Sequence, residues 1–288
     1  MGFVRFKSGL AWAVTFSLGC GCLGGCPGQD GARKYKTDPV RLDLGGVKPA
    51  VDYGDLAAVL KEAVRGGGRV EPVALKRVAA RLDAQVKRLA VTGPQATPQL
   101  FAAEEDRLAY WYNARAAWAL ALALRNDCPA KLPTAALEVC PFPLDGRQMT
   151  LDGIDAILVK DDDWRVVVAA PGIRQDRARL PAQPLSAKDV RQRIARRLSE
   201  LVDDQSRFEI DQEQKVLRVP PVLWAVRHRV IAARRRKYGA TGPTFITALL
   251  EYVTDSAHRR LQDVIGLRCV PAASTDRVVF PPSGKRAH

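Results

Sequence analysis

Histidine is scarce in this chain of 288 residues. Only His228, His258 and His288 occur, and none falls at a spacing suited to a metal. The six cysteines form no C-x-x-C pair, so no structural zinc site is expected. No G-x-x-x-x-G-K loop, no Rossmann glycine pattern after a strand and no G-x-S-x-G elbow is present, which removes three common enzyme classes. No cofactor is expected. No apolar run reaches the roughly twenty residues needed to span a bilayer core. The longest near the N-terminus, Leu10 to Leu23, has fourteen residues without a charge.

That run follows Arg5 and Lys7, the layout of a secretory signal. It ends in Leu23-Gly24-Gly25-Cys26, which resembles a lipobox: an apolar residue and two small ones before the cysteine that takes diacylglycerol. Cys20 and Cys22 fit less well, because Ser17 and Gly19 stand where each needs an apolar residue three positions earlier. A myristoylation start is weaker still, since Phe6 occupies the position of Ser or Thr. The expectation is therefore a signal peptide over 1–25, lipidation at Cys26, a flexible tether over 26–50, one domain over 51–280 and a loose tail over 281–288. The tether follows from PGQDGARKYKTDP, rich in Gly, Pro and charge without apolar periodicity. The expected location is the cell envelope, with the membrane reached through the N-terminal lipid.

Hydrophobic residues make up 47% of the chain, which excludes a disordered protein and supplies a substantial core. The formal charge of +14 raises nucleic acid as a partner, but export argues against it. Basic residues outnumber acidic ones about two to one between Arg174 and Lys237. The group Arg227, Arg229, Arg234, Arg235 and Arg236 is the candidate basic surface, for an anionic lipid or a cell-wall polymer. The plainer reading is a solvated helix face whose cations favour the C-terminal end of the helix dipole.

Leu56, Val59, Leu60 and Val64 recur at helical spacing before Gly66-Gly67-Gly68, and Val78, Leu82, Val86 and Leu89 mark a second helix from Pro72 to about Ala90. The third helix starts near Glu104 and Glu105 and runs through RLAYWYNARAAWALALALRN, with little polar surface, so it lies at the centre of the domain. Asn113 is its polar exception: a buried amide is either a structural clamp or a site residue. With Trp111 it forms the candidate pocket. Asp145-Gly146 signals a hairpin within FPLDGRQM, and Thr150 caps a short helix through Ile154, Ile157 and Leu158.

The β-branched WRVVVAA from Trp164 to Ala170 predicts a buried strand. Ser186 and Asp189 form a capping box for a helix bearing Val190, Ile194, Leu198 and Leu201. Two strands, Phe208–Ile210 and Val216–Val219, precede a helix from Pro220-Pro221 to Gly239 and a last helix bearing Phe245, Leu249, Val253 and Leu261. The fold class expected is α+β: a helix-dominated single domain, about seven helices around a small mixed sheet or hairpins.

This order of pieces resembles the domain of unknown function 547 family, over nearly the whole chain after the tether. RLAYWYNARAAWAL is similar to the family's aromatic-W-x-N-x-Y-N-A run at Trp111 and Asn113, while the second Tyr and Asn fall on Arg115 and Ala116. Met149 to Ile154 is similar to its L-x-D-x-I helix start. The family's H-F-A-L strand and cysteine stand against WRVVVAAPGIRQD, where Ala169 or Ala170 takes the cysteine's place. Its Tyr-Asp-Trp-x-Leu-Asn signature falls on LRCVPAASTD, from Leu267 to Asp276. The resemblance implies a retained scaffold whose distinctive polar and thiol positions have changed, and so no catalytic residues for this chain.

Asp161-Asp162-Asp163 offers hard oxygen ligands, but the calcium-loop spacing is absent, and no metal is expected. Cys128 and Cys140 admit a bridge in an oxidising compartment, or, with Cys269, stand as three separate thiols. A cysteine nucleophile needs a nearby base, and Cys269 with His258 is the available pair. The reading favoured is a non-catalytic binding or scaffolding module. The alternative is a hydrolase or thiol-dependent enzyme with a relocated site.

Overall fold

Three short helices open the domain, in a computed structural model that describes residues 34–239 and 242–280. Helix α1 (Gly54–Ala63) buries Leu56, Val59, Leu60 and Ala63. It runs into a hairpin of β1 (Val64–Arg65) and β2 (Arg69–Val70) closed by the three glycines. Gly67 and Gly68 have φ of 72° and 69°, and a Cβ on Gly68 would lie 2.5 Å from Cβ of Arg179, so glycine is required there. The expected single helix from Pro72 to Ala90 is broken at Val78 (φ −100°, ψ 16°) into α2 (Pro72–Arg77) and α3 (Ala79–Val91).

Helix α4 (Glu104–Arg125) buries 15 of its 22 residues, which makes it the central element, as its composition predicts. Glu104, Glu105 and Asp106 occupy its first turn, and the Asp106 carboxylate accepts the Ala103 N–H at 3.3 Å. Trp118 stacks on Phe142 with ring centroids 4.2 Å apart.

After α5 (Thr134–Leu137), the Asp145-Gly146 hairpin forms as expected from β3 (Phe142–Leu144) and β4 (Arg147–Met149). Thr150 Oγ1 accepts the Gly153 N–H at 2.9 Å and starts α6 (Leu151–Leu158).

The predicted strand at 164–170 is a helix instead, α7 (Arg165–Val168). Six of its seven residues are buried, all but Arg165, so its apolar character carries no strand periodicity. The Asp163 carboxylate accepts the Arg165 N–H at 3.0 Å and sets the first turn, while the Tyr112 hydroxyl donates to the Val166 carbonyl.

The Ser186–Asp189 contact, with Oγ donating to Oδ1 at 2.7 Å, leads into α8 (Val190–Asp203). Strands β5 (Glu209–Asp211) and β6 (Val216–Val219) pair antiparallel. The helix expected after Pro220-Pro221 breaks at Val226 into α9 (Pro221–Ala225) and α10 (Arg227–Tyr238). The last helix divides as well, into α11 (Phe245–Leu249) and α12 (Asp255–Gln262), with a 3₁₀ turn at Leu250–Tyr252 after α11. A strand not anticipated, β7 (Arg268–Pro271), lies parallel to β6 and completes a three-stranded sheet.

The class is helix-dominated α+β, with twelve α-helical segments among the described residues rather than about seven. Tyr35 onward belongs to one compact unit, which narrows the expected tether. The Lys36 N–H donates to Asn126 Oδ1 at 2.8 Å and the Val40 N–H to the Pro141 carbonyl at 2.8 Å, while Val40 and Leu42 pack on the core. Among the described residues no helix is long and apolar enough to cross a membrane. The leader, the lipidation candidate Cys26 and the tail 281–288 lie outside them.

Candidate functional site

Near the centre of α4, surrounded by apolar neighbours, Arg115 is fully buried. A guanidinium stays charged and loses its hydration there, so the fold must supply counter-charge and acceptors. Helix α6, fixed by its Thr150 cap, brings Asp155 to it in a two-pronged pair: Nε to Oδ1 at 2.7 Å and Nη2 to Oδ2 at 3.0 Å. Glu138, just beyond α5, adds Oε2 at 3.3 Å from Nη2, and Nη1 donates to the Pro171 carbonyl. Arg177 reaches Asp155 Oδ2 from the other side at 2.9 Å.

The two partners shift in opposite senses, as a matched pair should. Burial alone would pull the Arg115 guanidinium down, but Asp155 and Glu138 outweigh it and hold the proton more tightly than usual. Burial alone would raise the Asp155 carboxyl, and Arg115 with Arg177 keeps it below the ordinary carboxylate value.

This network floors a cleft of about 500 Å³. Arg174 and Asp176 line it beside Asp152 and Asp155, and Val222, Ala225 and Val226 give it an apolar wall. Arg174 donates to Thr134 Oγ1 at 3.1 Å and to Ser274 Oγ at 2.9 Å. Carboxylate oxygens of Glu138, Asp152 and Asp155 lie within 4.8 Å of one another. Asp155 is spent on two guanidiniums and Glu138 Oε2 on one, so two of the three carboxylates are already engaged by arginine.

The residues singled out in the sequence fall elsewhere. Asn113 is buried and closes a reciprocal pair with the Leu185 backbone: Nδ2 donates to its carbonyl and Oδ1 accepts its N–H, both at 2.8 Å. Trp111 packs edge-on against Tyr110 at 4.9 Å. Neither lines the charged cleft.

Of the candidate basic surface, Arg227 stacks on the Trp224 ring at 4.3 Å. Arg229 donates to the Val159 carbonyl at 2.8 Å and to the Asp161 carbonyl, and Arg234 lies over Tyr238 at 5.2 Å. Arg235 and Arg236 are exposed near the end of α10. In the aspartate triplet, Asp161 faces Arg191 at 2.9 Å and Asp163 faces Arg165 at 2.7 Å.

No disulfide joins Cys128 to Cys140, so the bridge considered between them is not formed, and Cys140 and Cys269 carry free thiols. Cys140 Sγ lies 3.5 Å from Arg125 Nη1 and 3.5 Å from the Asp38 carbonyl. Burial pushes the Cys140 thiol up, and the Cys269 thiol up to about 11. His258 Nδ1 contacts the Leu250 carbonyl at 3.2 Å rather than a thiol, and His228 is exposed.

Sequence reasoning missed Arg115 as the organising group. The available signal was a single arginine within an otherwise apolar helix centre, a residue type that is almost never fully buried unless paired. Comparison with known proteins gave no match among family models, curated proteins or solved structures.

Proposed function

We propose that this chain is an exported envelope lipoprotein, held on a membrane by lipid on Cys26, whose domain is a non-catalytic binding module. The anchor reading rests on Arg5, Lys7, the uncharged Leu10–Leu23 run and Leu23-Gly24-Gly25-Cys26. The resemblance to the domain of unknown function 547 family belongs to the same proposal, carried by the order of elements and by Trp111 and Asn113.

One observation carries the non-catalytic part: the polar groups best placed for chemistry are already consumed by the fold. The Asn113 amide is used by the Leu185 backbone, and Arg115 is saturated by Asp155, Glu138 and Pro171. Thiols with raised pKa and histidines turned to backbone or solvent support it further, since a nucleophile needs the reverse of both. The charged cleft, with its ion-paired floor and apolar wall, is the recess such a module would use. Anionic lipid or a cell-wall polymer remains the proposed partner class for the exposed cations.

Intact-mass analysis of the full chain from a bacterial membrane fraction tests the anchor. The expected product begins at an acylated Cys26, and Cys26→Ser abolishes the acylation; a soluble product retaining Met1 would overturn it. For the second part, an iodoacetamide-type probe near pH 8 should label Cys140 and Cys269 more slowly in the folded chain than in urea. Faster labelling in the folded state would restore the thiol-enzyme reading.

A further inference from the structure

Arg197, on α8, is 6% exposed, and no carboxylate among the described residues pairs with it. It is the counterpart of Arg115 without the counter-charge. Its Nε donates to the Ala169 carbonyl at 2.9 Å and its Nη2 to the Arg179 carbonyl, which leaves Nη1 with no acceptor among the described residues. Burial without a paired counter-ion pulls this guanidinium down to about 10, against the opposing influence of Tyr112 and Glu200.

Arg197 lines a cavity of about 780 Å³ beside the β1–β2 turn, together with Arg69, Arg179 and Arg207. The carboxylates on the same cavity are Glu200, Asp203 and Asp204. They number three against four arginines, and one of the three pairs with an arginine outside the cavity. Asp204 is shared by Arg179 at 2.7 Å and Arg207 at 3.0 Å, Glu200 is engaged by Arg196 at 3.3 Å, and Asp203 accepts from Thr254 at 2.8 Å. Arg69 is exposed and has no acceptor among the described residues.

The geometry points to an anion site in this cavity, in which the phosphoryl group of a ligand sits between Arg197 Nη1 and Arg69, with Arg179 and Arg207 behind it. A phosphoryl group suits the site better than a single carboxylate, because four arginines line the cavity and its oxygens can accept from more than one at once. The site is separate from the Arg115 cleft and from α10, and it does not depend on the anchor.

The test is thermal unfolding and calorimetric titration of the full chain with inorganic phosphate at constant ionic strength. The expected result is saturable binding with a rise in Tm, lost in Arg197→Met and weakened about tenfold in Arg69→Gln, the loss expected for one charge-assisted hydrogen bond. Arg69 is at the surface, so its variant keeps the experiment informative if Arg197→Met folds poorly. Phosphate that does not bind saturably, or binding unchanged by Arg69→Gln, overturns the proposal.

A second arm identifies the source of the phosphoryl group by comparing phosphatidylglycerol-containing with pure phosphatidylcholine vesicles, between which the lipid anchor contributes equally. A preference for the anionic vesicles that Arg69→Gln removes assigns the site to a lipid headgroup. Phosphate binding that responds to Arg69→Gln without such a preference assigns it to a soluble phosphate ester.

Discussion

Arg115 and Arg197 pose the same problem, a guanidinium taken out of water, and the fold answers them differently. The first sits in a lattice of Asp155, Glu138 and Pro171; the second has carbonyl acceptors only. Removing one partner from a buried pair is far more costly than never having formed it, because the remaining charge is stranded. Asp155→Asn is therefore expected to lower stability by about 3–5 kcal/mol, measured by urea denaturation. A loss below about 1 kcal/mol would mean that Arg115 relaxes toward solvent or Glu138. Arg115 was visible in the sequence only as a misplaced cation. Its acceptors come from 23 and 40 positions away, so no local pattern could name them.

Elements whose start is written in neighbouring residues were legible, and those defined by distant packing were not. Thr150 caps α6 and Asp145-Gly146 turns the β3–β4 hairpin, both within a few positions. The breaks at Val78 and Val226 carry no glycine, and β7 becomes a strand only because β6 offers it an edge. An apolar run such as WRVVVAA is ambiguous for the same reason: periodicity vanishes when almost every residue is buried.

The hairpin turn also has a remote function. Asp145, at φ 55°, turns its carboxylate to the Gln95 and Ala96 N–H groups at 2.9 and 2.8 Å, tying the loop after α3 to β3. A Cβ on Gly93 would come within 2.3 Å of Asp145 Oδ1. Gly93→Ala should displace that carboxylate and cost about 1–3 kcal/mol, read as a lower Tm, whereas Gly46→Ala, with open space around it, should be the milder change despite its positive φ.

At the scale of the whole molecule, the net charge of +14 makes the remaining carboxylates disproportionately important. Asp155 and Asp204 are both held below the ordinary carboxylate value; burial opposes this in each, and arginine contacts, joined at Asp204 by Ser206, outweigh it. A carboxyl depressed in the folded state contributes stability that is complete above its unfolded value near 4 and is lost as the pH falls below it. Tm should thus hold from about pH 7 to 5 and fall steeply below about pH 4, more gently in Asp155→Asn, which has already lost its share. A Tm that rises on acidification would contradict the pairing.

The strap at the start of the domain gives the fold a mechanical character. A pull arriving along the chain from before Tyr35 meets the Tyr35 hydroxyl on the Lys131 carbonyl, the Lys36 amide on Asn126, Arg125 on the Asp38 carbonyl and the Val40 amide on Pro141. Tension is thereby delivered to the C-terminal end of α4 and the entry to β3, and α1 is spared the load.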